Sequence, residues 1–253
     1  MTLRVYLTGR ASIEVDGDVV LSERQFRGRQ ERVAFAYLVR ERGRPVTREE
    51  LAAVLWPDEP PPAWQTGLSA IVSRLRALVA RDELARRSLS ISRGFGQYRL
   101  DLPSDTWVDV EAAVHAVDEA ERRLRGDEAR AAFGPAVVAS SIARRPFLSG
   151  DDGGWVAQER RKLDRVRLRS LECLARVWLA TEEPTLAVEA AAEALTLEPL
   201  RESSHRLLMQ AHAAAGNPAE AVRAYHALRE SLVSELGTDP SRETEALYLE
   251  LIG

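Results

Sequence analysis

The sequence predicts a mainly α-helical protein with a small antiparallel β component. Apolar residues alternate with polar ones over residues 3–21, the period of strands with one buried face. From residue 29 to the C-terminus they recur every three or four positions, the period of amphipathic helices, apart from one alternating stretch near residues 89–100. With 253 residues, 45% of them hydrophobic, the chain is long enough for two compact domains, which we place at residues 1–102 and 103–253.

The first predicted element is a small sheet. Leu3, Val5 and Leu7 alternate with polar neighbours, and the same pattern resumes after Gly9. The run Asp16-Gly17-Asp18 then predicts a tight turn, because glycine readily adopts the left-handed backbone that hairpin turns need. We therefore expect three short antiparallel strands that bury one face.

Helices follow the sheet. The first is predicted over Arg29–Arg42 and ends at Gly43. Thr47 and Glu50 have the spacing of a capping box, so a second helix is expected to begin there and to end at Pro57. A third helix over residues 64–80 has an apolar stripe formed by Leu68, Val72, Leu75 and Val79.

Two alternating runs flank the glycine-rich segment Arg93–Gln97 and predict a hairpin. Three helices closed by a hairpin are the arrangement of a winged helix-turn-helix. In that arrangement the third helix enters the major groove of DNA, and the hairpin, or wing, reaches phosphates or the minor groove. The third helix is therefore the predicted recognition helix.

The candidate DNA-binding side chains share two kinds of chemistry. Serine, threonine and glutamine hydrogen-bond base edges or phosphates, whereas arginine neutralises phosphates and releases counterions. The candidates are Thr47, Arg48, Gln65, Thr66, Ser69, Ile71, Ser73, Arg74, Arg76, Arg93 and Gln97. Ile71 is included because an apolar side chain can contact a thymine methyl group. The alternative is that Arg74 and Arg76 only solvate an amphipathic helix.

Charge and composition narrow the possible functions. Residues 1–102 carry 17 arginines and 13 acidic side chains, a modest net charge of +4, whereas residues 103–253 have a net charge of −8. The single cysteine, Cys173, fits a reducing cytoplasm, and the single lysine, Lys162, lies in no phosphate-loop motif. The four histidines have no metal-ligand spacing. We expect no enzymatic activity, no cofactor and no metal.

Neither a membrane-spanning stretch of about 20 apolar residues nor a signal-peptide core is visible, so we expect a cytoplasmic protein with no membrane partner.

The second half contains a helical repeat. Glu183-Pro184 corresponds to Asn217-Pro218 at an offset of 34 residues, the period of tetratricopeptide-like helix pairs. Earlier helices are expected at about residues 108–126, 127–141 and 155–179. Such stacks form concave surfaces that suit protein segments or another subunit, and a small-molecule sensor is a further alternative.

Two segments of this half have competing interpretations. Residues 159–169 contain six basic residues. They form either a second contact with DNA or polymerase, or ion pairs with neighbouring carboxylates. The acidic surroundings favour the ion pairs. The run Asp151–Gly154 lacks the length of a calcium loop and is expected to be a mobile loop.

Several multi-residue motifs resemble one known family. The N-terminal ones resemble the OmpR-type winged helix of the SARP/AfsR transcriptional activators: Leu3–Gly9, Arg29–Arg32, Gly43–Leu51, Leu55–Pro61, Leu68–Arg76 and Gly96–Leu100. The C-terminal ones resemble that family's bacterial transcriptional activator domain: Pro199–Glu202, His205–Met209, Gly216–Ala221, Tyr225 and Leu232–Ser241.

The resemblance implies an activator that binds double-stranded DNA, as a homodimer on direct repeats near promoters, and that contacts RNA polymerase. This chain departs from the family at Ile71, where a large polar residue is common, and at Gly67, which costs about 1 kcal/mol of helix stability. These departures suggest atypical base readout. They also motivate an alternative function, an interaction scaffold whose winged helix has lost base recognition.

Overall fold

The computed structural model describes residues 2–253. Its strands are β1 (Leu3–Tyr6), β2 (Ser12–Val15), β3 (Asp18–Leu21), β4 (Val46–Thr47), β5 (Ser90–Gly94), β6 (Gln97–Asp101) and β7 (Trp107–Val108). Its helices are α1 (Arg29–Arg40), α2 (Arg48–Leu55), α3 (Trp64–Val79), α4 (Asp82–Ala85), α5 (Asp109–Arg125), α6 (Ala129–Ala143), α7 (Gly154–Ala180), α8 (Pro184–Leu197), α9 (Glu202–Ala214), α10 (Pro218–Leu236) and α11 (Arg242–Ile252). The predicted fold class, mainly α with a small antiparallel component, is confirmed.

The chain divides into two compact units. The first comprises the residues up to Ala112 together with Arg145–Leu163, and the second comprises Ala113–Arg144 together with Asp164–Gly253. By compactness, residues 103–112 and 145–163 therefore group with the N-terminal residues. A functional domain boundary between residues 102 and 103 stays a prediction.

The N-terminal sheet follows the alternating pattern. Its strand order is β3-β2-β1-β7, and the inward residues Val5, Ile13 and Leu21 are fully buried. The predicted turn is present, with Asp16 and Gly17 both at positive φ. The parallel pairing of β7 with β1 was not predicted, because a two-residue strand is too short to show a period.

A buried carboxylate fixes the end of this sheet. Asp109 accepts hydrogen bonds from the backbone N–H groups of Leu7 and Thr8 at 2.8–3.0 Å and from the Thr8 hydroxyl at 2.7 Å. Backbone groups that would otherwise be orphaned in the core are satisfied in this way.

The winged helix-turn-helix is formed by α1, α2, α3 and the β5–β6 hairpin. The capping box is confirmed: the Glu50 N–H donates to the Thr47 hydroxyl at 3.1 Å, and the Thr47 N–H donates to the Glu50 carboxylate at 2.7 Å. The hairpin is held against the helices by β4, which pairs Val46 with Tyr98. These contacts fix the start of α2 beside the wing.

Residues 145–163 are an integral part of the first unit. Asp151 is fully buried and forms two hydrogen bonds with the Arg32 guanidinium at 2.7 and 2.9 Å. Arg160 donates to the backbone carbonyls of Phe147, Leu148 and Asp151 at 2.6–3.0 Å. The prediction of a mobile loop at Asp151–Gly154 is therefore wrong at Asp151. The partner, Arg32, lies 119 residues away in sequence, so no local pattern reveals it.

The second unit contains the predicted helical repeat. α8 and α10 each begin with a proline at the first helical position, where its missing N–H costs nothing. Ala187 and Ala221, one repeat apart, are both fully buried at the helix packing surfaces. The 34-residue period therefore corresponds to successive helix pairs, α8 with α9 and α10 with α11.

Among residues 2–253, no helix is both long and apolar enough to cross a membrane. The same residues contain no group of three histidine, cysteine or acidic side chains that could hold a metal ion.

Candidate nucleic-acid interface

Helix α3, the predicted recognition helix, has one buried and one exposed face. Leu68, Ile71, Val72, Leu75 and Val79 are buried. On the other side, exposed positions recur three or four residues apart, so they lie on one face of the helix. They are Gln65, Thr66, Ala70, Ser73, Arg76 and Ala77, and we call this set the exposed α3 face.

Ile71 does not belong to the exposed α3 face. It is only 3% exposed and packs in the core, so the prediction that it contacts a thymine methyl is wrong. At this position the phase of the helix differs from the predicted phase by one residue. Ala70, which is not among the predicted residues, is exposed instead, and its methyl group suits the same apolar contact with thymine.

Gly67 also lies outside the exposed α3 face. A Cβ atom added at this position would lie 3.8 Å from the ring of Trp56, an ordinary van der Waals contact. The glycine therefore faces the end of α2 and removes no group from base readout. Neither departure from the family pattern alters the exposed α3 face.

Arg74 is engaged within the protein. Its guanidinium forms an ion pair with Glu31 of α1, whose carboxylate is 3% exposed and also accepts from the Arg27 N–H at 2.9 Å. This pairing argues against the predicted role of Arg74 as a phosphate contact. Arg76, in contrast, is exposed and forms no ion pair with any of residues 2–253.

Arg48 joins the parts of the interface. Its backbone N–H donates to the carbonyl of Gly96 in the wing at 3.2 Å. Its guanidinium donates to the carbonyl of Gln65 at 3.2 Å and lies 6.0 Å from the ring centroid of Trp64. The wing, the start of α2 and the start of α3 are therefore held together by one residue.

Two predicted hydroxyl groups are already hydrogen-bonded within the protein. Ser69 is half-buried and donates to the Gln65 carbonyl at 2.8 Å, so it is less available to DNA than Ser73. The Thr47 hydroxyl accepts a hydrogen bond from the N–H of Glu50 as the cap of α2, which leaves the hydroxyl hydrogen free to donate.

The carboxylate of Glu50 is stabilised by the same cap. The hydrogen bond from the Thr47 N–H, with a further one from Arg44, holds the pKa of Glu50 below its ordinary value despite partial burial.

The wing presents exposed side chains at its tip. Arg93 and Gln97 are exposed, as predicted, on either side of a turn in which Phe95 and Gly96 have φ of 50° and 74°. Two successive positive φ values are typical of type I′ hairpin turns. Phe95 was missed because its position between glycines suggested only a turn.

The basic segment of α7 is mostly neutralised. Arg160 binds backbone carbonyls, as described above, and Lys162 pairs with Glu159. Arg167 pairs with Glu193 at 2.5 Å. Arg169 pairs with Asp118 at 2.6 Å and with Glu121 at 2.7 Å. These pairs support the interpretation that neighbouring carboxylates neutralise this segment.

Two other candidates for reactivity are buried. Burial raises the pKa of the Cys173 thiol to about 12, so it stays protonated at neutral pH. Burial also lowers the pKa of His205, whose Nε2 lies 2.8 Å from the Pro199 carbonyl oxygen. Both residues serve packing.

Comparison with known proteins assigns the family. The model of the bacterial transcriptional activator domain matches residues 108–252. The regulatory protein AfsR of Streptomyces coelicolor is 31% identical over 231 residues, which span 88% of this chain and 22% of AfsR. The transcriptional regulatory protein EmbR of Mycobacterium tuberculosis is 28% identical over 253 residues, which span 95% of this chain and 61% of EmbR.

The chain thus spans about a fifth of the length of AfsR and less than two thirds of EmbR. The solved structure of M. tuberculosis EmbR in complex with a low-affinity phosphopeptide has the same fold, with a TM-score of 0.85 at 23% identity, covering 99% of this chain and 65% of that one. On the strength of the matched family model, this chain belongs to the bacterial transcriptional activator domain family and is of the SARP/AfsR type.

Proposed function

We propose that this chain is a transcriptional regulator that binds specific sequences of double-stranded DNA. One observation carries the proposal: Arg48 hydrogen-bonds the wing at the Gly96 carbonyl and the start of α3 at the Gln65 carbonyl, so the wing tip is held beside α3. In the complex, α3 lies in the major groove, which is about 12 Å wide and admits a helix.

The residues have distinct roles in this proposal. Gln65, Thr66 and Ser73 hydrogen-bond base edges or phosphates, and Ala70 contacts a thymine methyl. Arg76 and Arg93 neutralise phosphates, while Arg48 positions the other groups through its contacts with the wing and α3. Gln97 and the Thr47 hydroxyl add hydrogen bonds to the backbone of the DNA.

The finer parts of the proposal come from the family resemblance. AfsR and EmbR are regulatory proteins by name, and the resemblance implies an activator that works as a homodimer on direct repeats near promoters. The helical repeat of the second unit offers helix surfaces of the kind that bind protein segments, so we assign the contact with RNA polymerase to it. A cytoplasmic location belongs to the same proposal.

The scaffold alternative has lost its main support. It depended on Ile71 and Gly67, and both lie outside the exposed α3 face. Only the modest net charge of residues 1–102 still favours it.

Selection of random duplexes with the full chain at low salt tests the proposal. We expect one enriched motif, and the absence of any enriched motif would favour the scaffold. On the selected duplex, Arg76→Ala should reduce by about one the slope of log affinity against log salt, because one phosphate contact is lost. The matched control is Arg130→Ala, an exposed arginine in α6 of the second unit, for which the slope should not change.

A further inference from the structure

The wing tip carries a large apolar side chain in full contact with solvent. Phe95 has a relative exposure of 106%, more than any other large hydrophobic residue among residues 2–253. Its φ of 50° is in the left-handed region, which glycine, asparagine and aspartate adopt more easily than phenylalanine. The fold gains no burial from this ring and bears the strain of its backbone, so the explanation for Phe95 lies outside the folded chain.

The surroundings of Phe95 favour a polyanion. The hairpin residues 90–100 contain two arginines, Arg93 and Arg99, and no acidic residue. Arg93 is exposed and forms no ion pair with any of residues 2–253, while Arg99 pairs with Asp101 at 3.2 Å. A lone aromatic ring flanked by arginine is a poor nucleus for a protein interface, which needs about 800 Å² from each partner.

The position of the ring is fixed relative to α3. The strands pair Arg93 with Tyr98 and Gly94 with Gln97 up to the turn itself. The carbonyl of Gly96, the residue after Phe95, accepts a hydrogen bond from the N–H of Arg48. The Arg48 guanidinium donates to the Gln65 carbonyl at the start of α3. When α3 lies in the major groove, the wing tip is therefore presented to the duplex at a set distance.

We propose that Phe95 is a wedge that enters the minor groove and partly unstacks one base step, bending the duplex. Phenylalanine is among the side chains that other minor-groove proteins insert in this way, and a two-residue hairpin tip is narrow enough to approach a groove about 6 Å wide. Arg93 and Gln97 hold the phosphates on either side of the step. The preferred step is a flexible one, TA or CA/TG. This inference rests on the proposed binding to DNA.

Two substitutions separate the wedge from the turn. Phe95→Asn removes the ring but suits the left-handed backbone, so the hairpin should be at least as stable as in the wild type. Phe95→Leu keeps an apolar wedge. Thermal unfolding of both variants checks that the fold is retained.

The measurement is the bend of the selected duplex, from energy transfer between dyes at its two ends, with 2-aminopurine placed at candidate steps to report unstacking. We expect a bend and raised 2-aminopurine fluorescence with the wild type and with Phe95→Leu. With Phe95→Asn we expect both signals to be lost and affinity to fall about tenfold, while the enriched motif read by α3 is retained.

The possible failures are distinguishable. An unchanged bend with Phe95→Asn overturns the wedge and leaves the DNA-binding proposal intact. If Phe95→Asn bends the duplex normally but no longer activates transcription in a reconstituted polymerase assay, the wedge is also overturned. The ring is then assigned to a contact with a protein. Failure of the wild-type chain to bind any duplex overturns both proposals.

Discussion

Two sets of arginines in the first unit differ in what they contact. Arg76 on α3 and Arg93 on the wing are exposed and form no ion pair with residues 2–253. Arg32 and Arg160 are half-buried, and each binds a carboxylate or several backbone carbonyls of the segment 145–163. The first set is available to phosphates, whereas the second set stabilises the unit itself.

Arginine content therefore does not locate the proposed DNA-binding surface in this chain. The densest run of basic residues, 159–169, is mostly paired, and the proposed interface has few arginines, all of them well separated. An arginine without an internal partner is free to contact a phosphate and to release its counterions. Substitutions in each set test whether the two sets are as different as their contacts imply.

The largest effect is expected for Arg32→Met, which leaves the carboxylate of Asp151 buried without its partner. Breaking a buried pair in this way costs about 3–5 kcal/mol of the free energy of unfolding. Urea denaturation monitored by tryptophan fluorescence measures it. Replacing both partners, as in Arg32→Met with Asp151→Leu, should recover most of the loss.

Arg93→Ala is the matched control for Arg32→Met, because it removes an exposed arginine that has no internal partner. It should change the free energy of unfolding by less than about 0.5 kcal/mol. Equal destabilisation by the two substitutions would abolish the distinction between the two sets.

Arg74→Ala tests which set Arg74 belongs to. Its removal deprives the buried carboxylate of Glu31 of its charged partner, which should cost about 1–3 kcal/mol. The salt dependence of DNA binding should not change, in contrast to Arg76→Ala. A smaller slope of log affinity against log salt for Arg74→Ala, with unchanged stability, would place Arg74 in the set that is available to phosphates.

A gain in stability is expected for Gly67→Ala. The added methyl group fits against Trp56 at 3.8 Å, and alanine favours a helix interior over glycine by about 1 kcal/mol. Thermal denaturation should therefore show a higher midpoint. The enriched DNA motif should stay the same, because this position does not face the duplex, and a changed motif would contradict that placement.

The smallest effect concerns the capping box of α2. The pKa of Glu50 lies below its ordinary value of 4.5, so its carboxylate contributes stability above that pH and loses it as the pH falls through the lowered value. Glu50→Gln should cost about 0.5 kcal/mol or less at pH 7, since the side chain is 40% exposed and solvent screens its interactions. The difference between the two proteins should vanish in denaturation curves recorded below the lowered pKa, and a constant difference would argue against this titration.

Elements with local signals were predictable. The capping box at Thr47 and Glu50, the prolines that open α8 and α10, and the glycine-rich wing all depend on residues close together in sequence. Their physical causes are hydrogen bonds and backbone preferences that act within a few residues.

Features that depend on distant residues were not predictable. The pairing of Arg74 with Glu31 spans 43 residues, so the sequence offered no reason to separate Arg74 from Arg76. The choice between Ala70 and Ile71 required the direction of the core, which only the packed helices define. Phe95 had no periodic partner, because a turn residue belongs to neither a strand nor a helix pattern.

The segment 145–163 has a consequence for hybrid regulators. It lies inside the region matched by the family model, yet it supplies buried side chains and the partner of Arg32 to the N-terminal unit. A chimaera spliced once, after residue 102, would separate the winged helix from part of its own interior. Exchange of DNA specificity between relatives therefore calls for transplanting both stretches together, or for grafting only the exposed α3 face onto an intact recipient.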